Sequence, residues 1–184
     1  VVALEARTEG WIAGLHLAAL SAQGRDDLAG FVAAFTGSHR YVLDYLAEEV
    51  LGRLDSATEL FLLHTSILNR LCGPLCDSLL AAPDIQAGRD AQAMLEFLER
   101  AHLFVVPLDD ERHWYRYHHL FADLLRYRLT QRDPAIVPLL HRRASAWHAA
   151  NGLIDAAIQH SLSADDVPGA VTLIEAHARD SLMR

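Results

Sequence analysis

Eleven histidines, two cysteines and sixteen arginines carry most of the chemical reach of this 184-residue sequence, and there is no lysine. A phosphate-binding loop of the Gly-Lys-Ser/Thr type needs its lysine against the phosphates, and Schiff-base catalysis needs a lysine amine, so neither is housed here. No G-x-S-x-G elbow is present to raise a serine nucleophile. His113, His118 and His119, like His141 and His148, lack the i, i+4 pair with a glutamate that a zinc-binding helix uses. Cys72 and Cys76 stand four apart with no second pair to complete a tetrahedral set, so no metal site is expected. His118 is singled out by position. It stands where a strand-like run ending at Tyr117 hands over to a helical run beginning at His119, beside the positive end of that helix. Free backbone amides and an imidazole N–H at such a corner can both donate to an anion such as phosphate. The competing reading is a partly buried histidine that caps its own helix.

The elements that must position this corner follow from periodicity. Thr8 to Ala22 has helical spacing, with Trp11, Leu15 and Ala18 on one stripe; a short helix through Phe35 and a stripe from Tyr41 to Leu54 follow. Ser56-Ala57-Thr58-Glu59 has the capping-box pattern, and it predicts a helix using Leu60, Leu63, Ile67, Leu68 and Leu71 that stops at Gly73-Pro74. A further helix is predicted over 75–82 and another after Asp90, with Met94, Leu95 and Leu98 facing inward. From Leu103 the pattern turns β-branched and aromatic, Asp109-Asp110-Glu111 reads as a turn, and 113–117 is strand-like again. Three helices and one hairpin are the parts of a winged helix. A long helix is predicted over 119–131, another from Asp133-Pro134 to Asn151-Gly152, then two over 153–163 and 167–182. The expected fold is mainly α: a helical trio with one β-hairpin wing, flanked by helical segments.

With 52% hydrophobic and 22% charged residues the chain has the composition of a folded globular protein. Its net charge of −8 argues against a surface that coats DNA. No stretch is long and apolar enough to span a bilayer, no basic-then-apolar leader stands at Val1, and two cysteines make no disulfide framework. A cytoplasmic location is the expectation, and the non-Met start suggests a piece of a longer protein.

The run W-Y-R-Y-H-H-L-F-A-D-L-L (Trp114 to Leu125), with T-E-G-W-I-A-G-L-H-L-A (Thr8 to Ala18), F-T-G-S-H-R-Y-V-L-D-Y-L-A-E-E-V-L (Phe35 to Leu51) and L-H-R-R-A-S-A-W (Leu140 to Trp147), resembles the MalT-like ATP-dependent transcriptional regulators. These are LuxR-type regulators of the STAND class of signalling ATPases. The resemblance implies a middle fragment. Residues 1–38 would end the helical subdomain of a P-loop ATPase core, 39–132 would form the winged-helix domain, and 133–184 would open a tetratricopeptide-like superhelical sensor. It implies that the fragment is not an enzyme and holds no cofactor alone, while the full-length protein is an ATP/ADP switch. Its partners would be the adjacent ATPase and sensor domains, a second copy on activation, and DNA through a separate C-terminal domain, with no membrane.

Relatives of this class carry a histidine at the strand–helix junction that touches bound ADP, often followed by aspartate. His118 matches the histidine, and His119 stands where the aspartate would be. Gly14-Leu15-His16-Leu17-Ala18 is similar to a Gly-Leu-Pro-Leu-Ala string that lies near the adenine, which marks Trp11, Gly14 and His16 as nucleotide-proximal, with His16 in place of the proline. The alternative function is a winged helix that binds DNA directly. Residues 112–132 hold five arginines and one acid among aromatics, the composition of a nucleic-acid surface. Against it, the segment that would enter the groove, 90–101, sets Asp90, Glu96 and Glu99 against Arg100 alone.

Overall fold

The computed structural model describes Glu9, Trp11, residues 50–80 and residues 90–182. The helices expected between Thr8 and Phe35 lie outside these residues, Glu9 and Trp11 excepted, and the stripe from Tyr41 ends in a single 3-10 turn, Leu51–Arg53. The trio follows as α1 (Ser56–Thr65), α2 (Gly73–Leu80) and α3 (Ala91–Arg100). The wing is β1 (Val105–Pro107) and β2 (Tyr115–Tyr117), and the chain continues through α4 (His119–Arg132), α5 (Ile136–Ala150), α6 (Ile154–Ser163) and α7 (Val167–Leu182). This is the mainly helical winged-helix architecture that the sequence predicts. No helix among the described residues is long and apolar enough to cross a membrane.

Four boundaries differ from expectation. The N-cap of α1 is Asp55, whose carboxylate accepts from the Thr58 amide and the Thr58 hydroxyl, both at 2.9 Å, so the aspartate takes the role assigned to Ser56. The helix ends at Thr65 instead of running on to Leu71. Ile67, Leu68 and Leu71 are buried as the periodicity requires, but from an irregular segment. There Leu71 pairs with Tyr115, each amide donating to the other's carbonyl at 2.8 Å. Finally, α5 starts at Ile136, and Asp133 closes a turn before it by accepting from the Ile136 amide at 3.3 Å. α2 begins at Gly73, two residues before its predicted start.

The wing pairs antiparallel, Val105 opposite Tyr117 and Pro107 opposite Tyr115. Its connection is folded by Asp109, whose two carboxylate oxygens accept from the amides of His113 (2.8 Å) and Trp114 (2.9 Å). The core lies between the trio, the wing and α4: Leu62, Leu71, Leu75, Leu95, Leu98, Leu120 and Phe121 are fully buried there, as is Tyr115. The Tyr117 hydroxyl reaches that core and shares a 2.7 Å hydrogen bond with Thr65, which itself donates to the Phe61 carbonyl. Gly73 sits so close to α3 that a Cβ there would lie 2.8 Å from the Cβ of Gln92.

The last three helices pack in antiparallel succession. Between α5 and α6 the Ser145 hydroxyl meets the Ala157 carbonyl and the Ser161 hydroxyl, each at 2.8 Å. Gly152 at φ 74 turns the chain between them, as Asn151-Gly152 predicts. His141 Nδ1 faces His160 Nδ1 at 2.8 Å, and the ring of His148 stacks on that of His160. Burial holds all three imidazoles below their ordinary pKa, His160 furthest, at about 4, with its two histidine neighbours adding to the effect.

Two predictions follow from this packing. Asp55→Ala should cost about 1 kcal/mol in chemical denaturation while Ser56→Ala leaves the midpoint nearly unchanged; the reverse order would restore Ser56 as the cap. Stability should fall as pH drops from 6.5 toward about 4, because the unfolded chain protonates these histidines at their ordinary pKa while the folded chain resists. Replacing His160 by Asn should flatten that slope in urea midpoints measured across the window, and an unaltered slope would remove the histidine cluster as its origin.

Candidate functional site

The corner flagged by the sequence is built by the end of β2 and the start of α4. The His118 amide donates to the Phe104 carbonyl at 2.8 Å, prolonging the wing by one residue. The His118 carbonyl then accepts the first intrahelical bond, from Ala122. One residue therefore belongs to both elements. Its imidazole is buried, with an exposure of 6%, and the residue is the N-cap of α4 through its backbone, with no side-chain capping bond. Trp11 and Phe104 pack edge-on against the His118 ring, their centroids 6.2 and 5.9 Å away, and Phe104 stacks on Phe121 beneath. Phe104 reaches this position with a φ of +58, which strains a bulky residue and tips its ring into the corner.

Into this corner comes a carboxylate that the sequence reading did not single out. Glu9 accepts from Arg116 Nη1 at 2.9 and 3.0 Å, one distance to each carboxylate oxygen, across 107 residues of chain. His119 Nδ1 lies 2.8 Å from Oε1 and donates, since a carboxylate can only accept. His118 Nε2 is 3.8 Å from Oε2. Burial alone would raise the Glu9 carboxyl, but the hydrogen bonds from His119 and Arg116 and the charge on His118 and Arg116 outweigh it, holding it below the usual range. The arrangement holds a carboxylate by hydrogen bonds and charge. It consists of one guanidinium and two imidazoles, the first two side chains from β2 and its exit and the third from α4's first position.

Glu9, His118 and His119 also bring their donor atoms within 4.8 Å of one another, a spacing that could hold a metal ion and that local sequence patterns do not reveal. The imidazoles of His118 and His119 lie nearly parallel, at 14° with centroids 4.9 Å apart. Imidazole lone pairs lie in the ring plane, so two parallel rings cannot aim at one ion until one turns. Arg116 holds the same carboxylate, and a cation there competes directly with a metal. Hydrogen bonding to an anion suits these rings as they stand.

The structure thus brings Trp11 onto His118, while Gly14 and His16 lie outside the described residues. Arg116 belongs to the basic run, and Glu9 to the string T-E-G-W, but no local signal joins them. A cleft of about 190 Å³ opens beside the cluster, walled by Arg116, His119 and Arg126 with Asn69, Tyr117 and Ala122.

Four of the five arginines of the run 112–132 meet partners in the protein, although the side chains of Arg112 and Arg132 stay more than 60% exposed. Arg112 pairs with Glu99 at 3.3 Å, Arg116 with Glu9, and Arg132 with Glu59 at 3.3 Å. Arg126 donates through Nε to the Ser66 carbonyl at 2.7 Å and reaches Asn69. On α3, which a groove-binding winged helix would insert, the polar positions Glu96, Glu99 and Arg100 leave an acidic balance, with Phe97 exposed.

The MalT winged helix domain family matches residues 47–137. The serine/threonine-protein kinase PknK of Mycobacterium tuberculosis is 41% identical over 175 residues, which cover 95% of this chain and 15% of the kinase. The HTH-type transcriptional regulator MalT of Klebsiella pneumoniae is 36% identical over 159 residues, covering 85% of this chain and 17% of the regulator. That of Vibrio cholerae is 39% identical over 143 residues, covering 76% and 15%. The chain therefore spans less than a fifth of the length of these curated relatives.

Proposed function

Since residues 47–137 belong to the MalT winged helix domain family, in relatives that are transcriptional regulators, we propose that this chain is the coupling module of a larger signalling protein. The winged helix clamps the nucleotide state of an adjacent P-loop core and passes it to a helical array that begins with α5. In the ADP state a phosphate held at His118 keeps the module against the core. An inducer at the array, with exchange for ATP, releases it and permits self-association and transcription. The segment itself performs no chemistry, and ATP and ADP bind in the preceding core. The equilibrium is two-state, biased by one phosphate contact and one ligand.

The observation that carries this reading is the grip on an acid at the strand–helix junction by Arg116, His118 and His119. Trp11 against His118 supports it, because the segment expected to come from the ATPase subdomain reaches the same corner. Two relatives of different activity, a kinase and a transcriptional regulator, share this unit, which favours a role common to both rather than either output. The exposed stripe of Val167, Val171 and Ile174 along α7 fits a further helix stacking there, as a helical array requires. A cytoplasmic setting accompanies the assignment.

His118→Ala in the full-length protein should weaken ADP retention on the order of tenfold and raise basal transcription. Unchanged ADP release would remove His118 from the switch. For the DNA-binding alternative, the chain should leave a labelled duplex unshifted even at low salt, because the acids of α3, the helix that would enter the groove, repel phosphates. A salt-sensitive shift would reinstate direct binding.

A further inference from the structure

The Glu9 carboxylate sits where a phosphate would be received. Its oxygens accept from Arg116 Nη1 at 2.9 and 3.0 Å and from His119 Nδ1 at 2.8 Å, with His118 Nε2 at 3.8 Å. A carboxylate and a terminal phosphate oxygen ask for the same things: N–H donors, positive charge and partial exclusion of water. The corner supplies all three.

We propose that Arg116, His118 and His119 form an oxyanion site that Glu9 fills as a built-in competitor, and that a terminal phosphate group enters along the Arg126 side and displaces the carboxylate. The inference rests on the phosphate-sensing reading above and adds to it a resident anion, a second cation and a direction of entry. The cleft of about 190 Å³ has Arg116 and His119 in its wall and neither Trp11 nor Phe104 among its described lining residues, so a phosphate entering there meets those two donors first. Arg126 lines the cleft but spends its Nε on the Ser66 carbonyl, so it guides by charge while Arg116 and the histidines bind. The exchange moves no covalent bond: one anion leaves the donors and another takes them. Because both carry negative charge, they exclude each other from so small a site. Glu9 is only part-buried, with its side chain 27% exposed, and can swing to water without opening the core.

Glu9→Gln keeps the shape of the side chain and removes its charge, which makes it the decisive variant. Pyrophosphate titrated into the chain and into Glu9→Gln, followed by calorimetry and by the imidazole NMR signals of His118 and His119, should bind the variant on the order of tenfold tighter. Arg116→Ala added to Glu9→Gln should cancel the gain. ADP in a parallel arm separates the sources of the phosphate: tighter binding than pyrophosphate means that the nucleoside contributes, and equal binding means that the phosphates alone are read. Equal pyrophosphate affinity in the chain and in Glu9→Gln overturns the competitor role and leaves the His118 reading standing. Absence of binding to both, with melting curves unchanged, overturns the oxyanion site and the phosphate-sensing reading together.

Discussion

The pair of backbone hydrogen bonds between Leu71 and Tyr115 is the constraint on which the arrangement depends. A two-stranded hairpin alone is marginal in water. Here the irregular segment after α1 adds one residue to the outer side of β2, and this stitches the wing to the trio. The side chains complete the join: Tyr115 is fully buried, and Tyr117 hydrogen-bonds Thr65 at the end of α1. Fixing β2 fixes what leaves it. Arg116, pointing to the other face from its neighbours by the twofold alternation of a strand, and His118, one step past Tyr117, are set in direction by a pairing made elsewhere.

That constraint explains why a weakly held acid can report on a well-held site. Arg116 and His118 belong to a framework locked by core packing. Glu9 arrives from a distant segment and contributes charge but little burial. Donors held in place by core packing are preorganised, which is what anion binding needs. The aromatic wall of Trp11, Phe104 and Phe121 works in the same direction. It lowers the local dielectric on one side of His118, strengthening the attraction of the corner for any negative charge.

Local chemistry explains what could be read from the sequence. The hairpin was legible because Tyr115, Arg116 and Tyr117 alternate and because Asp109 offers the side-chain acceptor that a polar turn requires. α4 and the helices after it were legible from spacing and from Asn151-Gly152. α1 was overrun because Ile67, Leu68 and Leu71 recur at helical spacing, yet their burial is achieved by a loop and a bridge. Periodicity reports that a residue goes inside, not which backbone takes it there. The cap was displaced by one residue because Asp55 and Ser56 are both good caps and the sequence contains both. His118 was visible as the joint between two local patterns. Its partners were not, since the contact of Glu9 with Arg116 spans 107 residues and neither residue carries a local signature of the other.

A competitor of this kind has to be weak, and the geometry makes it so. Part-exposed ion pairs contribute on the order of 0–1 kcal/mol, because each partner is well solvated when apart and each loses side-chain freedom when together. Two imidazoles and one guanidinium nitrogen shared between both carboxylate oxygens raise that figure without removing water from Glu9. Were the same carboxylate fully buried, its removal would strand the arginine and no physiological anion could displace it. Were it fully exposed, it would not occupy the site often enough to matter. A ligand shifts an equilibrium only by its differential affinity for the two states, so a phosphate with two negative charges needs to exceed a single carboxylate by little to take the site. The marginal strength of the Glu9 contact is therefore the property that would let this corner respond to a phosphate at all.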